Sequence, residues 1–167
     1  MTQTPEAYIF DLDGTLFCLP IDWEQLFDEF KRIIHADTVR PLVDTVSKLE
    51  PKTRREVFDT WDKAELAIFE TVKPCEQGMQ FYHEAQAKSK PKALVTLQGK
   101  RIVKVLTQRF NLKFDAILTR EDTLFREDQL QKALTMLKTP AKETLFIGNT
   151  ENDASAAQKV GCNFKKV

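Results

Sequence analysis

Long apolar runs are missing from this chain of 167 residues: none approaches the ~18 residues that a membrane-spanning helix needs. An excess of either charge is missing too. Lys plus Arg number 25 and Asp plus Glu number 25, so no global field gathers nucleic acid or anionic lipid. The nearest thing to a basic cluster, Lys52, Arg54 and Arg55, reads as a solvated helix face. Cysteine is scarce: three residues, at positions 18, 75 and 162. An odd count at wide spacing matches neither a zinc site nor a disulfide framework, and the expectation is reduced thiols in a cytoplasmic protein. The start, Met1 to Glu6, lacks the basic and apolar parts of a signal peptide. There is no internal repeat and no low-complexity tract.

What is present is an ordinary globular composition, 42% hydrophobic and 30% charged, long enough for one domain with a small appendage. Ala7-Tyr8-Ile9-Phe10 is a short apolar run that ends in Asp11-Leu12-Asp13-Gly14-Thr15. This is the pattern of a buried strand delivering its carboxyl end to a polar site. Residues 20 to 90 carry helical spacing: Asp22 caps a first helix, Pro41 opens a short second one, and a longer helix starts at Pro51. Pro74 interrupts the pattern, and Glu76 to Ala87 resumes it. From residue 91 the rhythm changes. Strands are expected at Lys92–Leu97, Phe114–Thr119, Thr144–Asn149 and Cys162–Val167, with helices at Gly99–Phe110, Asp128–Lys138 and Glu151–Val160 between them. Such alternation predicts an α/β fold, a Rossmann-like parallel sheet of about five strands covered on both faces. In an open sheet of this kind sites collect at the carboxyl ends of the strands. Three polar strand ends would then meet: Asp11 to Thr15, Thr96 to Gly99, and Gly148 to Asp153.

Asp11 and Asp13 lie two residues apart at a strand end that turns at Gly14. Carboxylates this close repel unless a proton or cation separates them, and a hard divalent ion prefers oxygen ligands. An ionised aspartate beside such an ion is able to attack phosphorus, and its neighbour to move protons. An isolated Asp-x-Asp-Gly would more simply cap a turn; the buried strand before it and the two later polar strand ends weigh against that reading. His35 and His83 read as surface or packing residues, while Arg32, His35, Arg40 and Lys63 have the chemistry to contact an anion if they face the site.

Phe10-Asp11-Leu12-Asp13-Gly14-Thr15-Leu16 resembles the first signature of the haloacid dehalogenase-like superfamily. Leu94-Val95-Thr96 is similar to its second signature. Ile147-Gly148-Asn149-Thr150-Glu151-Asn152-Asp153, followed by Ala156-Ala157 and Gly161, is similar to its fourth. The resemblance implies an aspartyl nucleophile at Asp11 and a general acid/base at Asp13. It implies phosphate contacts from Thr96 and the backbone at Leu97, and Mg²⁺ held by Asp11, the Asp13 carbonyl, Asn149 and Asp153. Two departures stand out. The fourth signature normally begins Gly-Asp, whereas here it is Gly148-Asn149, which brings an oxygen but no charge. The third signature normally offers a lysine, and none lies between Arg120 and Lys132. Arg126 is the substitute the sequence offers, against the alternative of an exposed helix-start residue; Arg120 follows its strand too closely.

The resemblance further implies a division into a core (residues 1–18 and 90–167) and a small helical cap (19–89, including the helix that returns to the sheet). The nearest familiar relatives are phosphoglycolate phosphatases of subfamily I. A Mg²⁺-dependent phosphatase acting on a small phosphorylated metabolite is the activity implied, in a monomer or homodimer without nucleic-acid or membrane partners. A phosphomutase and a non-catalytic binding protein are the alternatives, the second motivated by Asn149 and the missing lysine.

Overall fold

The computed structural model describes residues 4–167; Met1 to Gln3, part of the polar start discussed above, lie outside the described residues. The chain opens with β1 (Ala7–Phe10) and a two-residue strand β2 (Phe17–Cys18). Three helices follow: α1 (Trp23–Ile34), α2 (Leu42–Ser47) and α3 (Pro51–Ala67). After a 3₁₀ turn come β3 (Lys73–Pro74) and α4 (Glu76–Ala87). Next are β4 (Lys92–Val95), α5 (Lys100–Arg109), β5 (Ala116–Leu118) and α6 (Arg126–Leu137). The chain closes with β6 (Thr144–Gly148), α7 (Glu151–Val160) and β7 (Asn163–Lys166).

The main sheet has five parallel strands in the order β5-β4-β1-β6-β7. Successive strand residues face opposite sides, and both sides are buried. Tyr8, Phe10, Leu94 and Ile147 pack with Tyr82 and Ala85 of α4 and with Ile102 and Leu106 of α5. Ala7, Ile9, Ala93, Val95 and Phe146 pack with Leu130 and Ala133 of α6 and with Ala156 and Ala157 of α7. Burial on both faces is why β1 reads as a continuous apolar run rather than an alternating one.

The expected helix signals are realised. The Asp22 carboxylate accepts the Gln25 N–H at the start of α1, Pro51 occupies the first turn of α3, and Gly161 ends α7 at φ +88°. The helices α1 to α3 enclose a third core of Leu26, Phe30, Val39, Val46, Val57 and Trp61, joined by Leu124 from the loop before α6. The cap is therefore docked on the sheet domain. Its two crossings form an antiparallel ribbon, with Phe17 opposite Pro74 and Cys18 opposite Lys73, an element the helical reading of residues 20 to 90 did not contain. No helix among the described residues is long and apolar enough to cross a membrane.

Candidate active site

β1 is the central strand, and its partners β4 and β6 run parallel on either side. The carboxyl ends of these three strands lie together, so the loops carrying Asp11, Thr96 and Asn149 meet at the edge where the strand order reverses. Asp11 is 4% exposed. Its Oδ1 accepts from Arg126 Nη2 at 2.8 Å, and its Oδ2 accepts from the Thr15 hydroxyl at 3.2 Å. Burial pushes the Asp11 carboxyl up to about 6; Arg126 opposes this, and the charges of Asp153 and Asp13 add to it.

Asp13 is partly buried, and its Oδ1 accepts the Leu19 N–H at 3.0 Å, so the second acid is tied to the start of the cap. Burial raises its carboxyl above the usual range, against the N–H groups of Leu19 and Gly14. Gly14 has φ +80°, and a side chain there would collide with the Asn149 amide. The turn therefore demands glycine on two grounds, backbone conformation and space.

The Asn149 amide reaches over this turn. Its tip on the site side lies 3.3 Å from both the Asp13 carbonyl and Asp11 Oδ2. With nitrogen in that position the amide donates to both oxygens. With oxygen there, three acceptors converge, and only the Thr15 hydroxyl donates, at 3.4 Å. The first orientation satisfies the amide without a cation; in the second, a carboxylate, a carbonyl and an amide form an oxygen set that would suit Mg²⁺ with its remaining waters. Among the described residues no three His, Cys, Asp or Glu side chains come together as a metal-binding group, so the fit depends on the two uncharged oxygens.

Asp153 is 1% exposed. Its Oδ2 accepts from the backbone N–H of Asn149 at 3.2 Å, the N–H of Thr150 at 3.1 Å and the Thr150 hydroxyl at 2.8 Å. The Thr150 hydroxyl in turn accepts the Asp153 N–H, completing a reciprocal cap on α7. Asp153 Oδ1 lies 3.0 Å from Arg126 Nε. That contact is a charge pair without hydrogen-bond alignment, because the same oxygen has no hydrogen-bond partner. Arg126, at the start of α6, thus stands between two carboxylates, and its Nη1 also donates to Gln129 Oε1 at 2.8 Å. Two acids, Asp11 and Asp153, therefore share one guanidinium.

Thr96 is fully buried, with its hydroxyl donating to the Gln98 side chain and accepting the Gln98 N–H at 3.0 Å. Gln129 Nε2 donates to the Thr96 carbonyl at 2.8 Å. The Leu97 carbonyl accepts from Arg120 Nη1 at 3.1 Å. Arg120 is buried against Asp62 and Glu65 of α3, and Glu65 Oε2 accepts the Gly99 N–H at 3.1 Å. The cap thereby holds the loop after β4. Burial pushes Glu65 up to about 7 despite Arg120, and Asp62 is raised for the same reason. Arg32, His35, Arg40 and Lys63 are all exposed, and Arg40 lies over the Phe27 ring at 5.0 Å. A cavity of about 740 Å³ opens beside the Arg120 cluster, lined by Arg54, Arg55, Asp59 and Arg101 among others; Asp11 is not in its lining.

The positions of Thr15, Gln98, Gln129, Asp62 and Glu65 were not read from sequence. Thr15 and Gln98 carried a signal, as parts of the first and second polar strand ends. The others are polar residues on helices or turns whose burial depends on tertiary packing.

No curated protein matches the sequence. Among solved structures, a hydrolase from Pseudomonas syringae is 16% identical with a TM-score of 0.74, over 97% of this chain and 83% of that one. CbbY from Rhodobacter sphaeroides in complex with phosphate is 17% identical with a TM-score of 0.71, over 96% and 85%. A haloacid dehalogenase-superfamily hydrolase from Ehrlichia chaffeensis is 19% identical with a TM-score of 0.64, over 99% and 89%. At these identities the likeness shows the fold. The sequence profile described as haloacid dehalogenase-like hydrolase matches residues 8–167, nearly the whole chain, and the protein belongs to that family.

Proposed function

We propose that the protein is a Mg²⁺-dependent phosphatase that hydrolyses a small phosphate monoester through an aspartyl-phosphate on Asp11. The observation that carries this reading is the Asp11 carboxylate at the switch point of the sheet, with Arg126 on one oxygen and Thr15 on the other. The phosphate bound to the structurally similar CbbY accords with it.

Asp11, the Asp13 carbonyl and the Asn149 amide oxygen would hold Mg²⁺, which supplies positive charge against the repulsion between an anionic nucleophile and an anionic substrate. Asp153, which the resemblance puts among the metal ligands, instead has its oxygens on the Asn149 and Thr150 N–H groups and on Arg126, so it orders the Asn149 loop and balances the guanidinium. Phosphorus faces the Asp11 carboxylate in line with the leaving oxygen. Arg126 and the backbone N–H groups near Leu97 balance charge on the non-bridging oxygens, joined by the Thr96 hydroxyl once it turns from Gln98, and most of the catalysis of phosphoryl transfer lies there. Asp13, whose carboxyl is raised by burial, gives its proton to the leaving alkoxide. In the second half-reaction Asp13 takes a proton from water, which attacks phosphorus and frees Asp11. Asp11 is enclosed, with Arg126 and Thr15 against its two oxygens, so substrate entry requires these groups to yield. With α4 packed on the sheet, α1 to α3 alone are left to form the outer part of the cap, which favours a small leaving group.

Asn149 favours one other reading, a non-catalytic relative with weak metal affinity. Hydrolysis of p-nitrophenyl phosphate with and without Mg²⁺, in the native protein and in Asp11→Asn, separates the two. The phosphatase reading expects turnover that needs both Mg²⁺ and Asp11. Equal background rates in all four arms would leave the non-catalytic reading standing.

A further inference from the structure

The three cysteines are far apart in sequence, but the fold brings two of them together. Cys18 ends β2 and Cys75 follows β3, 57 residues later, and their Sγ atoms lie 2.7 Å apart. The ribbon register explains the meeting. Phe17 is opposite Pro74, and the Cys75 N–H donates to the Leu16 carbonyl at 2.8 Å, so the ladder runs one step past β3. Leu16 is thus Cys75's direct partner, and Cys18, two residues along, is on the same face as its diagonal neighbour. Cys18 is exposed and Cys75 half-buried, whereas Cys162 is buried in the core under α6 and α7.

The location gives the pair its consequence. β2 and β3 are the two strands through which the chain leaves the sheet domain for the cap and returns. Leu19, the residue after Cys18, is the one whose N–H holds the Asp13 carboxylate. We propose that Cys18 and Cys75 are a site of reversible disulfide formation that ties the two cap crossings together next to Asp13. The oxidant is a low-molecular-weight disulfide of the glutathione class. The Cys18 thiolate attacks one sulfur of that disulfide and releases one thiolate. Cys75, after losing its proton, attacks the Cys18 sulfur of the mixed disulfide and releases the second. Two cysteine thiols and one small disulfide become one protein disulfide and two small thiols, with both protons on the released thiols. A disulfide requires sulfurs ~2.05 Å apart, and the observed contact of 2.7 Å leaves the pair less than an ångström short of it. Closing the ribbon constrains the cap segment between the two cysteines, slowing cap opening and raising the unfolding midpoint by roughly 5–10 °C.

The test equilibrates the full-length protein in buffers of varied reduced and oxidised glutathione, quenches with an alkylating reagent and maps peptides by mass. The expected result is a linked pair of the Cys18 and Cys75 peptides, lighter by two hydrogen atoms, with Cys162 alkylated and dithiothreitol restoring all three thiols. In Cys75→Ser the expected product is glutathione retained on Cys18. Oxidising buffers that leave Cys18 and Cys75 separately alkylated, stop at the mixed disulfide in the native protein, or link Cys18 to a second molecule would overturn the proposal. None of these outcomes depends on catalysis by Asp11, so the pairing and the phosphatase reading fail separately.

Discussion

Arg126 Nη2 donates to Asp11 Oδ1 at 2.8 Å across 115 residues of sequence. The same guanidinium reaches Asp153 through Nε. One cation therefore balances an acid from the first strand end and an acid from the first turn of α7, and most of the site's behaviour follows from how that balance is disturbed.

Removing the guanidinium in Arg126→Ala has two effects of opposite sign. Phosphate loses a planar donor, so inhibition by inorganic phosphate weakens at least about tenfold. Mg²⁺ loses a repelling cation beside Asp11, so its affinity rises. Without Mg²⁺ the variant loses about 3–5 kcal/mol of stability, because a buried carboxylate is left unpaired. Phosphate inhibition, Mg²⁺ calorimetry and denaturant unfolding measure the three effects. Weaker Mg²⁺ binding in the variant would contradict the assignment.

Asn149→Asp places a full negative charge 3.3 Å from Asp11 Oδ2 and the Asp13 carbonyl. Mg²⁺ affinity is expected to rise about tenfold or more, since a charged oxygen replaces a neutral one in the same set. Titration calorimetry checks it. Unchanged affinity would place the cation elsewhere.

Stability of the Mg²⁺-free protein should fall as pH rises from 4 to 7. The Asp11 carboxyl is raised from 3.8 to about 6 in the fold, so across that interval the folded state binds the proton more tightly than the unfolded chain. Its contribution is fully present below the unfolded value and is lost as pH passes the folded one, a swing of about 3 kcal/mol. Glu65, raised to about 7, adds a change of the same sign. Guanidinium unfolding between pH 4 and 8 should show the decline, and Asp11→Asn should remove its share. Saturating Mg²⁺ should flatten the curve by displacing the proton. Stability that rises over this range in the metal-free protein would refute the prediction.

The Arg120 cluster predicts an asymmetry. Arg120→Met strands Asp62 and Glu65 in the interior and releases the Leu97 carbonyl, at a cost of about 3–5 kcal/mol. Glu65→Gln keeps an acceptor for the Gly99 N–H and removes one of two acids that share one guanidinium. Its cost is about 1 kcal/mol or less at neutral pH. Thermal and denaturant unfolding of both variants measure this, and equal losses would sink the shared-charge explanation.

The fold was legible because its signals are local and periodic. β1 is a short apolar run ending in an acid, β6 is one ending in Gly148-Asn149, a glycine at 161 stops the helix Glu151–Val160, and Pro51 and Asp22 mark helix starts where they occur. The candidate site was legible where residues sit at strand ends, as Asp11, Asp13, Thr96 and Asn149 do. Arg126 was readable only as a substitute for a missing lysine, since its reach to Asp11 depends on how α6 is placed. The Arg120 cluster was not readable: it forms between the cap and the loops after β4 and β5, and nothing local says that an arginine after a strand points into the protein. The Cys18–Cys75 contact escaped for a related reason. Two-residue strands carry too little pattern to reveal a ribbon, and sequence distance hides a meeting that only the ribbon creates.

The central claim is that the Asp11 carboxylate oxygen attacks phosphorus. Rapid acid quenching during turnover of a phosphate monoester with Mg²⁺, followed by peptide mass spectrometry, tests it most directly. The account predicts a hydroxylamine-sensitive phosphoryl group on the peptide containing Asp11, absent from Asp11→Asn and from Mg²⁺-free controls. Sustained Mg²⁺-dependent hydrolysis by Asp11→Asn, or a phosphoryl group on a different residue, would contradict it.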